Sequence, residues 1–189
     1  MIRRAAVFLD RDGVINVDTG YVGHPGEFAF IDGVETALAR LSDAGYLLVV
    51  VTNQSGIARG YFSEADFHAL TMHMTGLLAA SGAPIAAVMH CPHLPFDQQP
   101  ADRRCTCRKP APGMILDAAA ALDIDLLASI MIGDKPSDIA AGHAAGVGRC
   151  FLIDEQLAHD RANAAEVSRK ADADDAFASL AECVDAILR

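Results

Sequence analysis

A chain of 189 residues lies near the upper end of what one hydrophobic core covers, so a single domain over 1–189 is expected. Apolar residues make up 52% of it, yet they come in short runs broken by Gly, Asp or Asn, and none approaches the length of a membrane span. The formal net charge of −10 speaks against a broad nucleic-acid surface, because phosphate backbones are held by clustered Lys and Arg; any phosphate site is local.

The N-terminal apolar run Ala5–Leu9 is cut short by Asp10, Arg11 and Asp12, which leaves no signal-peptide core and predicts a cytoplasmic protein. The same run is too short for a helix and reads as a strand buried on both faces. Val34, Ala37, Leu38 and Leu41 then fall at helical spacing ahead of Gly45, and 46–51 is a second buried strand. Strand, helix, strand is the unit of a parallel sheet. Ser63 with Asp66 resembles a capping box, followed by an apolar stripe of Phe67, Leu70, Met74, Leu77 and Leu78. Strands are further predicted at 85–89, 129–132 and 150–153, and helices at 114–122 and 137–145, the latter closed by Gly146. A last helix is expected over 176–188 from Phe177, Leu180, Val184 and Ile187. This alternation predicts an α/β fold, a doubly wound parallel sheet whose ligand site lies beyond the carboxyl ends of the strands.

Polar residues suited to phosphate chemistry stand at those ends: Asp10 and Asp12, Thr52 and Asn53, Lys109, and Asp134. A carboxylate fixed at a strand end can attack phosphorus in line and form an acyl phosphate, which makes Asp10 the candidate nucleophile. Asp12, two residues on, can protonate the leaving alkoxide and then deprotonate water. Magnesium prefers oxygen ligands, which Asp10, Asp134 and the backbone carbonyl of Asp12 supply, with Asp138 in support through water or Lys135. Thr52, the turn Asn53-Gln54-Ser55-Gly56 and Lys109 can stabilise charge on the transferring group. Taken singly, each of these motifs is also ordinary turn or strand-exit sequence; their occurrence in order along one alternating chain favours function.

The segments Phe8-Leu-Asp-Arg-Asp-Gly-Val14, Thr52-Asn53, Lys109-Pro110 and Gly133-Asp134-Lys-Pro-Ser-Asp138 resemble the four motifs of the haloacid dehalogenase superfamily of phosphatases. The resemblance implies a Rossmann-like fold and an aspartyl-phosphate mechanism. Many members carry a cap domain; neither insertion region here is long enough for one, so an open site is expected.

Cys91-Pro-His93 and Cys105-Thr-Cys107 offer four soft or borderline ligands, a fitting set for tetrahedral, structural zinc in the loop 91–107. The pair spacing is tight, so both pairs must reach the ion from extended chain. A metal-free thiol cluster or a Cys105–Cys107 disulfide is the alternative. Arg108 and Lys109 follow directly, and a metal knot there would fix both at the rim of the site.

The superfamily branch with such a zinc loop includes heptose bisphosphate phosphatases and histidinol phosphate phosphatases. Asn16-Val-Asp18-Thr-Gly-Tyr-Val22, 52–60 and 105–114 make the chain similar to the former over residues 5 to about 155. That resemblance implies a small phosphorylated sugar as substrate, contacted by Asp18, Thr19, Gly20, Tyr21, Asn53, Gln54, Ser55, Arg108 and Lys135. A monomer without nucleic-acid or membrane partners is expected. The rivals are a histidinol phosphate phosphatase, whose cationic substrate would want an extra carboxylate near the site rather than the Ser55-Gly56-Ile57-Ala58-Arg59 turn, and a non-catalytic zinc-stabilised binding module, which intact Asp10, Asp12, Lys109 and Asp134 argue against.

Overall fold

The computed structural model describes residues 3–100 and 104–189, so part of the expected metal loop, 101–103, lies outside it. Six strands form one parallel sheet: β1 (Ala6–Leu9), β2 (Leu47–Asn53), β3 (Ile85–Cys91), β4 (Ile130–Gly133), β5 (Arg149–Ile153) and β6 (Asp175–Phe177). Their order is β3-β2-β1-β4-β5-β6, and every pairing is parallel.

Alternation along the buried strands divides the interior into two layers. Val7, Leu9, Val50, Ile130 and Ile132 face helices α1 (Val34–Asp43), α3 (Glu64–Ala80) and α7 (Leu180–Ile187). Ala6, Phe8, Val49, Val51 and Met131 face α4 (Gly113–Leu122), α5 (Pro136–Ala145) and α6 (Ala164–Ala171). Truncating a fully buried ring such as Phe8 to alanine would cost about 3–5 kcal/mol. None of the described helices is long and apolar enough to cross a membrane.

The capping box forms as predicted: Ser63 Oγ accepts the Asp66 amide at 3.1 Å, and Asp66 Oδ2 accepts the Ser63 amide at 2.8 Å. Leu77, placed in the apolar stripe of that helix, is exposed at 41%, while Phe67, Leu70, Met74 and Leu78 are buried. The reading of a helix over 176–188 needs a larger correction. Phe177 belongs to β6, and the helix proper starts after Ser179, whose hydroxyl caps it by accepting the Glu182 amide. The helix α6 and the strand β6 were both missed, because 164–177 has neither a long apolar run nor a clear stop signal. The turn expected at 53–56 opens a short helix, α2 (Ser55–Arg59).

From β1 the chain proceeds outward through β2 to β3, and from β4 outward through β5 to β6. The direction of winding therefore reverses between β1 and β4, which is where an open α/β sheet leaves a crevice for ligands. The described residues contain no cap domain: 10–33 holds only a short 3-10 helix at Pro25–Glu27, and 92–112 holds another at Phe96–Gln98.

Candidate active site

Asp10 follows β1 and Asp134 follows β4, one on each side of the crevice, and Thr52 and Asn53 end the neighbouring β2. Lys109 reaches in from the loop before α4. Its Nζ lies 2.6 Å from the Val51 carbonyl oxygen, 3.0 Å from Asp10 Oδ1 and 2.6 Å from Asp138 Oδ1, the last off the line of a good hydrogen bond. Three acceptor oxygens thus surround an ammonium with three protons. Lys109, expected to act on the transferring group, is paired here with Asp10 and Asp138. Asp138 Oδ2 accepts the Lys135 amide at 3.0 Å, and its Oδ1 faces the Lys109 ammonium.

Asp10 Oδ1 also accepts the Arg11 amide at 2.7 Å, whereas Oδ2 has no partner among the described residues. Burial pushes the Asp10 carboxyl up from 3.8 to about 6, in spite of the pull of Lys109. Burial likewise raises Asp134, with the charge of Asp10 adding to it. Lys109 loses from burial but gains more from Asp10 and Asp138, and it sits above its ordinary value.

Asp12 is held by donors on several sides. Arg11 reaches Oδ1 through Nε at 3.1 Å and Nη2 at 2.8 Å, Asn16 Nδ2 donates to Oδ1 at 3.0 Å, and Gln54 Nε2 donates to Oδ2 at 2.9 Å. Arg11 and Asn16 were not singled out from the sequence. The signal available was Arg11 itself, a charge between two carboxylates next to a buried strand; such a residue is buried only when paired.

Close approach of two backbones to these carboxylates requires glycine. A Cβ on Gly13, which has φ +85°, would lie 2.5 Å from Asp134 Oδ2, and one on Gly133 would lie 2.2 Å from Asp138 Cβ. Asp10, Asp134 and Asp138 offer oxygens within 4.8 Å of one another. Asp134 Oδ1 is sealed from solvent without a hydrogen-bond partner. With Asp12, four carboxylates converge where Lys109 is the one ammonium nine-tenths buried, and an orphaned carboxylate oxygen in that setting fits a hard divalent cation.

The cavity at this point has a volume of about 660 Å³. Asp10, Asp12, Asp18, Gly20, Tyr21, Asn53, Gln54, Ser55, Arg108, Lys109 and Lys135 all line it, as expected, but Thr19 and Thr52 do not. Thr52 is buried beneath Gln54, whose Nε2 donates to its hydroxyl at 2.8 Å. Other predicted substrate contacts are partly spent on structure. Asn53 exchanges two hydrogen bonds with the Lys109 backbone, at 3.2 and 3.1 Å, and the Gln54 amide is taken by the Cys91 carbonyl at 2.7 Å. The run of free amides expected from Asn53 to Gly56 therefore begins only with the first turn of α2. Lys135 Nζ lies 3.2 Å from Asp134 Oδ2 and 3.6 Å from Asp18 Oδ2, at the edge of the cavity.

Beside the cavity, Cys91, His93, Cys105 and Cys107 come together. Cys91 Sγ is 3.1 Å from Cys107 Sγ, 3.7 Å from Cys105 Sγ and 3.4 Å from His93 Nδ1, which is 3.3 Å from Cys107 Sγ. No disulfide forms; all five cysteines are free. Two thiolates on one tetrahedral zinc, each about 2.3 Å from it, stand about 3.8 Å apart, so the cluster has nearly the size of a zinc site. Cys91 ends a strand and His93 follows in irregular chain, consistent with ligands presented from extended backbone. Arg108 is tied to this cluster, its Nη1 donating to the His93 carbonyl at 3.1 Å.

Residues 106–183 match the family described as HAD-hydrolase-like. The D-glycero-beta-D-manno-heptose-1,7-bisphosphate 7-phosphatase of Photorhabdus laumondii is 50% identical over 149 residues, 78% of this chain and 79% of that protein. The chain belongs to that family. Its member from Escherichia coli K12 is 51% identical over 78% of each chain. Among solved structures, the D,D-heptose 1,7-bisphosphate phosphatase of B. bronchiseptica, complexed with magnesium and phosphate, superposes with a TM-score of 0.80 at 33% identity. That alignment covers 97% of this chain and 98% of the other. A putative HAD-like phosphatase from Mesorhizobium loti gives 0.72 at 40% identity, over 80% and 73%. The expected family and fold are thus both observed.

Proposed function

We propose that this chain is a magnesium-dependent phosphatase that removes the 7-phosphate of D-glycero-D-manno-heptose 1,7-bisphosphate through a covalent intermediate on Asp10. The reading rests on Asp10, Asp12 and Lys109 lining one cavity of about 660 Å³, with Asp134 offering an oxygen within 4.8 Å of Asp10, in a chain about 50% identical to phosphatases named for that substrate. A cavity of this size suits a sugar bisphosphate. The names of those relatives specify the β anomer, which favours it here.

Asp10 Oδ1 is fixed by Lys109 and by the Arg11 amide, so Oδ2 is the oxygen assigned to attack phosphorus. The bond from phosphorus to the sugar oxygen breaks, and the leaving alkoxide takes a proton from Asp12. Asp12 then takes a proton from water, whose oxygen attacks the same phosphorus and displaces Asp10, returning both carboxylates to their starting state. Arg11, Asn16 and Gln54 hold Asp12 in one orientation for both proton transfers. The ion would be held by Asp10, Asp134 and the backbone carbonyl of Asp12, and when bound it supplies charge neutralisation between an anionic nucleophile and an anionic substrate.

Arg108 and Lys135, which both line the cavity, are suited to the second phosphate, with Asp18, Gly20 and Tyr21 near the sugar hydroxyls. Zinc on Cys91, His93, Cys105 and Cys107 has four protein ligands, leaves no open position and is structural. A one-domain, monomeric, cytoplasmic enzyme completes the proposal; size-exclusion chromatography tests the monomer.

Phosphate release from the two heptose 1,7-bisphosphate anomers, histidinol phosphate and fructose bisphosphate tests the substrate. The β heptose compound should give the highest kcat/KM. Preference for histidinol phosphate, or no release from either heptose anomer, would overturn the reading.

A further inference from the structure

Two segments form the mouth of the cavity. One is the loop 18–22, which contributes Asp18, Gly20 and Tyr21; the other is the Pro95–Gln98 part of the metal loop, which contributes Pro95, Phe96 and Asp97. Arg59, the last residue of α2, lines neither but joins them. Its guanidinium carbon lies 6.0 Å from the centroid of the Tyr21 ring, and its Nη2 donates to Gln98 Oε1 at 2.9 Å. Tyr21 also meets Tyr61 edge to face, with ring centroids 4.7 Å apart.

Two features indicate that this bridge is held for a purpose beyond folding. Tyr21 has φ +55°, a left-handed conformation that a tyrosine keeps only when its surroundings enforce it. The Nε–H of Arg59 is sealed from solvent with no acceptor among the described residues, an arrangement that costs free energy unless a further partner arrives.

We propose that Arg59 is a positioning residue that couples the 18–22 loop to the Phe96–Gln98 helix of the metal loop, so that both sides of the mouth close together on a sugar bisphosphate. The substrate class rests on the function proposed above; the coupling does not. Only a planar, multidentate cation can present a face to Tyr21 and an edge to Gln98 at once, so lysine is not an equivalent substitute. Arg59 touches none of Asp10, Asp12, Lys109 or Asp134, and its loss should leave the reacting groups in place.

The coupling can be read without substrate, because the chain has three tyrosines and no tryptophan, a ring spectrum simple enough to assign. In the full chain, Gln98→Leu should shift the ring resonances of Tyr21, to which no hydrogen bond joins it, and leave those of Tyr46 in place. In an Arg59→Lys background the same substitution should move neither. A Tyr21 signal that ignores Gln98→Leu, or that responds equally in both backgrounds, would overturn the coupling.

Kinetics test its consequence. Arg59→Lys should raise KM for the heptose bisphosphate about tenfold with little change in kcat, and should leave hydrolysis of p-nitrophenyl phosphate, which has no distal group to enclose, at its original rate. An equal fall on both substrates, or no change on either, would refute the closure role. If the wild-type protein does not turn over the heptose compound, the proposed substrate fails while the resonance experiment still decides the coupling.

Discussion

Lys109 Nζ and Asp138 Oδ1 lie 2.6 Å apart, and both side chains are sealed from solvent. The pair crosses from the loop before α4 to the first turn of α5, and it keeps the ammonium beside Asp10 Oδ1 at 3.0 Å. Removing one partner of a buried ion pair strands the other, at a cost of about 3–5 kcal/mol. Asp138→Asn should therefore lower the melting temperature by about 10 °C, at about 2–4 °C per kcal/mol for a chain of this size. Activity should drop on the order of 100-fold as Lys109 loses its position. Thermal melts together with kcat for the bisphosphate check both, and an unchanged melting temperature would count against the pair as a structural element.

Asp10 should behave in the opposite sense when metal is absent. Its carboxyl is raised by burial from 3.8 to about 6, so the folded protein binds more protons than the unfolded chain between those values. Stability is then fully present below that window and is lost as pH rises through it, by about 3 kcal/mol in all. Asp10→Asn carries no charge to desolvate. In chelator at pH 7.5 the variant should melt several degrees above wild type, and the gain should vanish near pH 4. The same variant should be inactive and should form no covalent phosphoenzyme in rapid-quench labelling; substantial turnover by it would defeat the proposed mechanism.

The reacting groups were legible because each stands directly after a strand that is itself legible as an apolar run: Asp10 after Ala6–Leu9, Asp134 after Ile130–Gly133. What surrounds them was not. Arg11, Asn16 and Gln54 converge on Asp12 from three positions whose meeting depends on how the 10–16 turn and the entry to α2 fold, and no periodicity encodes that. Lys109 was found as a cation near phosphate, but its enclosure by Val51, Asp10 and Asp138 is a tertiary fact. At the far edge, β6 is only three residues long and carries a charged first residue, too little for a period-2 pattern to register.

Magnesium binding should depend on a residue that carries no ligand atom in its side chain. Gly13 leaves room for the Asp134 carboxylate, and a Cβ there would sit 2.5 Å from Oδ2 on a backbone with φ +85°. Asp134→Ala removes a direct carboxylate and should raise the magnesium concentration needed for half-maximal activity by at least about tenfold. Gly13→Ala should produce a similar rise by pushing the carboxylate aside, with Asp134 still present. Magnesium titration of activity measures both, and a normal requirement in Gly13→Ala would show that Asp134 has freedom to move.

The four-ligand cluster touches the catalytic half of the molecule at two points. The Cys91 carbonyl accepts the Gln54 amide at 2.7 Å, where α2 begins, and the His93 carbonyl accepts Arg108 Nη1 at 3.1 Å. Gln54 in turn holds Asp12 at 2.9 Å. Loss of one thiolate should therefore release the metal, loosen 91–108 and disturb both the rim cation and the orientation of Asp12, where a displacement of about 1 Å costs on the order of 100-fold in rate. The apolar strands do not depend on this loop, so the sheet should stay folded. Wild-type protein purified without chelator should contain about one zinc per chain. Cys107→Ser should contain much less, retain its far-ultraviolet circular dichroism and lose most of its activity. The loss should exceed that of Cys150→Ser, because Cys150 lies on β5, separated from Cys91 on β3 by the three strands between them. Absence of zinc from wild-type protein, or full metal and full activity in Cys107→Ser, would rule out a structural zinc site acting on catalysis through Arg108 and Gln54.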